Sequence, residues 1–337
     1  MTISKHKLSG FFGDIFFRGA PFFLMLLFLY LFIVLFSSVI VYKGRSLAHH
    51  LIEYSNEAGG DSESLIRLRD AAEHQKLDVL FMGSSHAYRT FDTRIFQRAG
   101  LKAFNLGTVA QTPLNSYYLL QEYYIKLRPE ILVLECYPLN FQSEDGMESF
   151  MDLVVNMPLS ASLWGMAIAT HSPQAIHLIL SEYFQRLLRP FPLRAQTKYP
   201  DNEYVPGGYV EVNKVWDDPK TPFDKDAVDV SERQLSFLKK IIYFCKKRHL
   251  KLILVLQPMP PGYLISLKNY EAALQRIKEV AKAPNVLFKD YNDLEMDLND
   301  FAGPHTLNAR GAEKISRNLL ETITTANTSA QGGIQKP

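Results

Sequence analysis

The sequence predicts an α/β fold, a parallel-sheet α/β/α sandwich with a helical insertion, carried behind one N-terminal transmembrane helix. Three observations predict it. Short apolar runs alternate with amphipathic stretches of helical period from Leu77 onward. A stretch with no charged residue runs from Pro21 to Tyr42, bracketed by Arg18 and Lys43. The 337 residues are 47% hydrophobic and 21% charged, enough to fill the core of one large domain or two smaller ones.

The uncharged stretch comes first in the chain. As a helix it would span roughly 30 Å, the thickness of the hydrocarbon core. A cleaved signal peptide would carry an apolar region of only about 7–15 residues, so an uncleaved anchor over residues 21–42 is expected. Lys5, Lys7 and Arg18 precede the span, while Lys43 and Arg45 follow it with Glu53, Glu57 and Asp61 close behind. That small basic bias favours residues 1–20 in the cytoplasm and the main domain on the extracytoplasmic side of the cell membrane.

Residues 43–76 read as a helical lead-in. The strands then come in order: Leu77–Met82, Leu101–Leu106, the nearly all-apolar Glu130–Tyr137, Leu250–Leu256, and Asn285–Lys289. Helices fall between them over Pro113–Leu127, which has proline at its start, then Ser231–His249 and Leu267–Ala283. A closing helix follows over Asn308–Thr322. Residues 139–230 are an insertion with helices around Phe150–Ala169 and Ala175–Leu188, read as a lid over the strand ends where such sheets bind ligands. The domain is thus 77–323, followed by a small, polar tail, 324–337, expected to be disordered.

Composition also excludes functions. A net charge of +2 without regional asymmetry argues against a broad nucleic-acid-binding face. Cys136 and Cys245 lie in apolar runs and read as small buried hydrophobes. No CxxC or Cys/His cluster at zinc spacing is present, nor a glycine loop of dinucleotide type, so neither metal nor organic cofactor is expected.

The chemistry-bearing motifs start at Met82-Gly83-Ser84-Ser85-His86, directly after the first strand. Asn105-Leu106-Gly107 ends the second strand, His305 precedes the last helix, and Asn308-x-x-Gly311 opens it. Ser84 and Ser85 also suit a helix N-terminus, where serine caps free N–H groups. Gly107 is equally suited to end a strand.

These blocks, in this order, resemble the SGNH (GDSL-like) hydrolase superfamily over roughly residues 77–322. The chain looks most like its membrane-anchored envelope branch, which includes proteins related to the D-alanyl transfer protein of teichoic acid and the alginate acetylation proteins. The resemblance implies acyl-ester chemistry on an acylated glycan or other envelope polymer, with a membrane-bound acyltransferase as a possible partner and no cofactor. It implies Ser85 as the nucleophile, with Ser84 where the familiar motif has aspartate. Gly107 and the Ser85 backbone would form the oxyanion hole, and Asn140 is the candidate for its side-chain donor.

The C-terminal block departs from the family's pattern. Counting back from Asn308 puts Thr306 where the histidine belongs and Gly303 where the aspartate belongs. Either a one-residue shift lets His305 act as base with Asp300 orienting it, or the acid–base pair is lost. In the second case the domain binds an envelope polymer or scaffolds an acyltransferase complex. His86 is a poor substitute base, because neighbouring side chains on a turn diverge. Trp164, Trp216 and Tyr209 are candidates for stacking on a sugar.

Overall fold

The computed structural model describes residues 5–42, 45–50, 62–188, 202–217 and 227–331. It divides into two compact units, one of residues 1–53 and 176–195, the other of 54–175 and 196–337.

The first unit is built on helix α1 (Lys5–Val39), which runs through Pro21. Its segment Gly19–Val39 is long and apolar enough to cross a bilayer, with a mean hydropathy of 2.7. Phe22, Phe23, Leu24, Met25 and Phe28 are all more than half exposed, a surface that water disfavours and lipid does not. The helix stops three residues before the expected end at Tyr42. The β-branched run Val39-Ile40-Val41 leaves it for strand β1 (Val41–Tyr42), which pairs antiparallel with β2 (Arg45–Ser46) ahead of the single turn α2 (Leu47–His50). The later part of an insertion helix belongs to this unit: Ser181 bonds Ser38 (Oγ–Oγ 2.9 Å), and Gln185 donates to Ser46 Oγ at 3.1 Å.

The second unit holds the sheet. Of the helical lead-in it shows α3 (Ser62–Ala71), with residues 51–61 outside the described range. Strand β3 (Val79–Met82) is followed by α4 (Ser85–Thr90) and α5 (Thr93–Arg98), then β4 (Ala103–Asn105), α6 (Pro113–Leu127) and β5 (Ile131–Glu135). Helix α4 begins where Ser84 and Ser85 suit a helix N-terminus, whereas α5 was not anticipated. Six residues are too few for a 3.6-residue period to register, but Ser84 and Asp92 cap them at their N-termini. Helix α6 starts as expected, with Pro113 in its first turn behind a Thr112–Asn115 capping box.

The insertion gives α7 (Met147–Asn156), α8 (Ala161–Ala169) and α9 (Pro173–Leu188), then a hairpin of β6 (Asn202–Val205) and β7 (Tyr209–Val212). The single helix expected around Phe150–Ala169 is broken at Pro158, which forces Met157 into extended backbone (ψ 158°). The hairpin is not a lid. Its turn docks on the sheet edge, where Asn105 N–H donates to Gly207 O at 2.8 Å, so it protects an otherwise open strand. A Cβ on Gly208 would lie 2.0 Å from Asn105 O, so only glycine permits that approach.

The chain then supplies α10 (Glu232–Lys247), β8 (Lys251–Leu256), α11 (Pro261–Ser266), α12 (Tyr270–Ala281), β9 (Val286–Asp290) and α13 (Ala309–Gln331). Helix α13 passes the expected end at Thr322. Residues 324–331 are helical rather than disordered, with Thr324 and Thr325 hydroxyls bonded back to carbonyls one turn earlier, and 332–337 lie outside the described residues.

The five long-range strands are all parallel, in the order β4-β3-β5-β8-β9. Central strands buried on both faces read as continuous apolar runs, which is why β3, β5 and β8 were visible in the sequence. Alternate residues Val79, Phe81, Ile131, Val133, Ile253 and Val255 pack with Phe91, Ile95 and Phe96 of the α4–α5 region and with Ile315, Leu319 and Ile323 of α13. Both cysteines are buried thiols, and burial pushes Cys245 up to about 12.

In this order the first strand has its successor on one side and the third on the other. The crevice between the C-terminal ends of β3 and β5 is therefore the topological switch point, the place where open parallel sheets bind ligands.

Candidate active site

The switch point is closed by a direct bond between the two strand ends. After β3, Gly83 takes φ +137°, and Ser84 becomes the N-cap of α4. After four apolar residues, β5 ends on Glu135, which is 5% exposed. Ser84 donates to Glu135 Oε2 from both its N–H (3.0 Å) and its hydroxyl (2.9 Å), and the Tyr137 N–H donates to Oε1. Burial raises the Glu135 pKa, while these three donors favour the charged form and oppose the rise.

A Cβ on Gly83 would lie 2.7 Å from Glu135 Cβ and 2.8 Å from Oε2. Gly83→Ala is therefore expected to destabilise the fold by about 3–5 kcal/mol, through clash and a backbone angle disfavoured for alanine. A thermal melt of the variant checks this.

From Ser84 the bonding continues to two histidines. His86 Nδ1 lies 3.1 Å from Ser84 Oγ, and His86 Nε2 lies 3.0 Å from His305 Nδ1. His86 rests edge-on against Tyr137, with ring centroids 4.3 Å apart. His305 packs against Tyr137 and Tyr263, whose hydroxyls are 2.7 Å apart. Burial lowers both histidine pKa values, and the charge of Arg89 adds to each; His86, which also faces His305, is held well below the ordinary value. Both imidazoles are therefore neutral near pH 7.

The tautomers follow from the network. The Ser84 hydroxyl proton is committed to Glu135, so its oxygen accepts from His86 Nδ1–H. A neutral ring carries one such proton, so His86 Nε2 is the acceptor and His305 Nδ1–H the donor. His305 Nε2 keeps a lone pair. The chain Glu135–Ser84–His86–His305 thus holds His305 in the tautomer required of a general base, the task an aspartate performs in a serine triad.

His305 is placed by its own loop. Phe301 and Leu307 are buried and form an antiparallel bridge, and Ala302 N–H donates to Thr306 O at 2.8 Å. Gln257, just past β8, donates to His305 O at 2.7 Å and accepts from Thr90 at 2.6 Å. Asn308 caps α13 through the N–H groups of Arg310 and Gly311, and its amide donates to Asn299 O and Phe301 O. A Cβ on Gly311 would lie 2.3 Å from Asp300 O. The Asn-x-x-Gly element is therefore the anchor of the histidine loop.

Two expected roles are corrected. Asp300 does not orient His305. It is fully buried and pairs with Arg310 (2.9 Å) and Lys314 (2.6 Å), two cations one turn apart near the start of α13 that turn it toward that helix. Gly107 does not offer a free N–H, because that group donates to Asn105 Oδ1 at 3.1 Å. Asn105 is itself fixed by bonds to Ala87 O and Phe91 O.

Ser85 opens α4, is half-buried, and makes no hydrogen bond from its hydroxyl among the described residues; no Ser85–His305 bond is formed in this conformation. Asn140, in the 3₁₀ turn Pro138–Phe141 after β5, has a buried amide nitrogen with no hydrogen-bond partner. Of the suggested stacking residues, Tyr209 is fully buried and presents no face to a sugar, while Trp216, packed against the core, and Trp164 on α8 are both half-buried.

His86 has a marked consequence for stability. Its folded pKa is depressed below 6.5, so its contribution is complete above pH 6.5 and is lost as pH falls below that value, when the unfolded chain takes up a proton. Glu135, shifted upward, has the opposite slope above its ordinary 4.5. Comparing melting temperatures at pH 7 and pH 5 separates the two: the wild type is expected to lose more than His86→Phe over that interval.

No protein-family model matches the chain, and no curated protein does. Among solved structures, the chain is similar to a protein from Bacteroides fragilis described as an acylhydrolase, at 16% identity and a TM-score of 0.41. It is also similar to a GDSL-like lipase from Bacteroides thetaiotaomicron, at 12% identity and a TM-score of 0.40. Each comparison covers 79% of this chain and 98% of the other.

Proposed function

We propose that the chain is a membrane-tethered SGNH-like serine esterase or O-acyltransferase acting on an acylated cell-envelope glycan. The observation that carries this reading is the directional chain from Glu135 through Ser84 and His86, which leaves a lone pair on His305 Nε2, while Ser85, next to His86 at the head of α4, keeps its hydroxyl uncommitted among the described residues. Ser85 Oγ attacks the ester carbonyl as its proton passes to His305 Nε2. The tetrahedral intermediate collapses to an acyl-Ser85 ester, and the leaving alcohol takes the proton from His305. Water, or the hydroxyl of an acceptor, then repeats the sequence in reverse.

The oxyanion takes its donors from the Ser85 N–H, which opens α4 and has no intrahelical carbonyl, and from the unpartnered Asn140 amide. The α1 anchor keeps the domain at the membrane surface, on its extracytoplasmic side, where a membrane-bound acyltransferase can deliver the acyl group. A reporter fused to the C-terminus tests that orientation.

Two observations favour a second reading, that of an inactive polymer-binding or scaffold protein: the Gly107 N–H is engaged, and Ser85 has no bond to His305. Acetate release from aryl acetates and acetylated oligosaccharides by the full-length protein in detergent decides between them. Turnover lost in both Ser85→Ala and His305→Ala supports the enzyme. A folded wild type without turnover, or turnover retained in both variants, contradicts it.

A further inference from the structure

Helix α9 turns an apolar stripe outward. Leu178, Ser181 and Glu182 are buried. On the opposite side Ile176, Leu180, Tyr183, Phe184 and Leu187 follow one another at three- and four-residue spacing, and Tyr183 and Leu187 are more than half exposed. The helix's two charged side chains, Glu182 and Arg186, pair with each other off that stripe at 3.3 Å. A helix lying against water would carry its polar residues on this outer face.

The contacts with α1, in the same compact unit, indicate what meets the stripe. As the anchor, Gly19–Val39 is 21 residues, about 31 Å of helix, and a hydrocarbon core of about 30 Å takes up all of it. A shift outward would draw Arg18 into lipid, so Val39 stands at the membrane boundary. Along this helix α9 is met twice. Ser38 bonds Ser181 (Oγ–Oγ 2.9 Å) level with the boundary, and Tyr30 lies against His177 with ring centroids 6.1 Å apart. Tyr30 is nine residues before Val39, about 13 Å deeper along the helix and within one leaflet's depth of about 15 Å. Past the boundary, Gln185 bonds Ser46. Helix α9 therefore rises through the boundary beside the anchor, its apolar stripe turned away from the buried side.

We propose that α9 is a second membrane contact, its stripe lying in the lipid of the leaflet that Val39 reaches. Ile176 and Leu180 sit among acyl chains, and Tyr183 and Leu187 at the headgroup level, where an amphipathic aromatic ring is favoured. The inference rests on α1 being the anchor and is independent of the ester chemistry. The chain is then held at the membrane by two elements, and the Ser38–Ser181 and Ser46–Gln185 bonds fix the rotation of one against the other.

The test places an environment-sensitive fluorophore on single introduced cysteines of the full-length protein in phosphatidylcholine vesicles. Cys136 and Cys245 are fully buried and stay unlabelled in the folded chain. Nitroxide quenchers are carried on the lipid acyl chain or on the headgroup. Phe28→Cys reports the anchor, and Glu279→Cys, beside Lys282 on an exposed charged face of α12, reports water. Leu180→Cys is expected to be quenched by the acyl-chain nitroxide at least about half as strongly as Phe28→Cys, and Tyr183→Cys more by the headgroup nitroxide. Glu279→Cys is expected to respond to neither. Quenching at Phe28→Cys with none at Leu180→Cys and Tyr183→Cys overturns the proposal and leaves the anchor. Blue-shifted emission at those two positions without quenching also overturns it, since protein, a second copy or another membrane protein, then covers the stripe. An unquenched Phe28→Cys removes the anchor and the proposal together.

Discussion

Ser85→Ala is expected to lower ester turnover by about a thousandfold or more, because covalent catalysis has no second route here. The fold should hardly notice. The Ser85 hydroxyl has no hydrogen-bond partner among the described residues and is half-buried, so the melting temperature should move by no more than about 0.5 kcal/mol of stability implies. Ser84→Ala should behave differently. It removes the helix cap and the bond to Glu135 together, so it should cost about 1–2 kcal/mol as well as activity. Turnover and thermal melts of the two variants, measured side by side, separate the nucleophile from the residue that caps it.

His86→Phe is the second large effect. Phenylalanine preserves the edge contact with Tyr137 but removes both ring nitrogens, so His305 Nδ1–H loses its acceptor and its tautomer is no longer fixed. In a serine triad the loss of the orienting acceptor costs about ten-thousandfold in kcat. Here the acceptor is a neutral ring rather than a carboxylate, so a loss of about a hundred- to a thousandfold is expected, confined to kcat with little change in KM. Steady-state kinetics at pH 7 check both the size and the split. A loss seen mainly in KM would mean that His86 shapes the binding surface and not the base.

The sheet was legible because its strands are buried on both faces. Leu77–Met82, Glu130–Tyr137 and Leu250–Leu256 stand out as apolar runs, and the long helices between them carry strong caps at Thr112 and Ser231. What stayed hidden was whatever depends on contacts far apart in the chain. The hairpin of β6 and β7 looked like part of a loop because its role is to cover the β4 edge, a partner about a hundred residues earlier.

The site shows the same division. Gly83, Ser85 and the Asn308-x-x-Gly311 anchor have local signatures, since turn geometry and capping are short-range. The base-orienting group does not. Asp300, the carboxylate closest to His305 in sequence, is instead tied to Arg310 and Lys314. The acid that serves the site is Glu135, some 170 residues earlier, and it acts through Ser84 and His86. One sign of it was present: a glutamate ending an otherwise apolar strand is costly to bury, and it persists where specific donors await it.

The central claim is that Ser85 is an activated serine whose base is held by His86. Reaction of the full-length protein with a fluorophosphonate, read by intact mass, tests it most directly. One adduct, located on Ser85, absent in Ser85→Ala and formed far more slowly in His305→Ala and His86→Phe, is the result expected. A folded wild type that takes up no adduct, or one labelled at the same rate in both histidine variants, would contradict it.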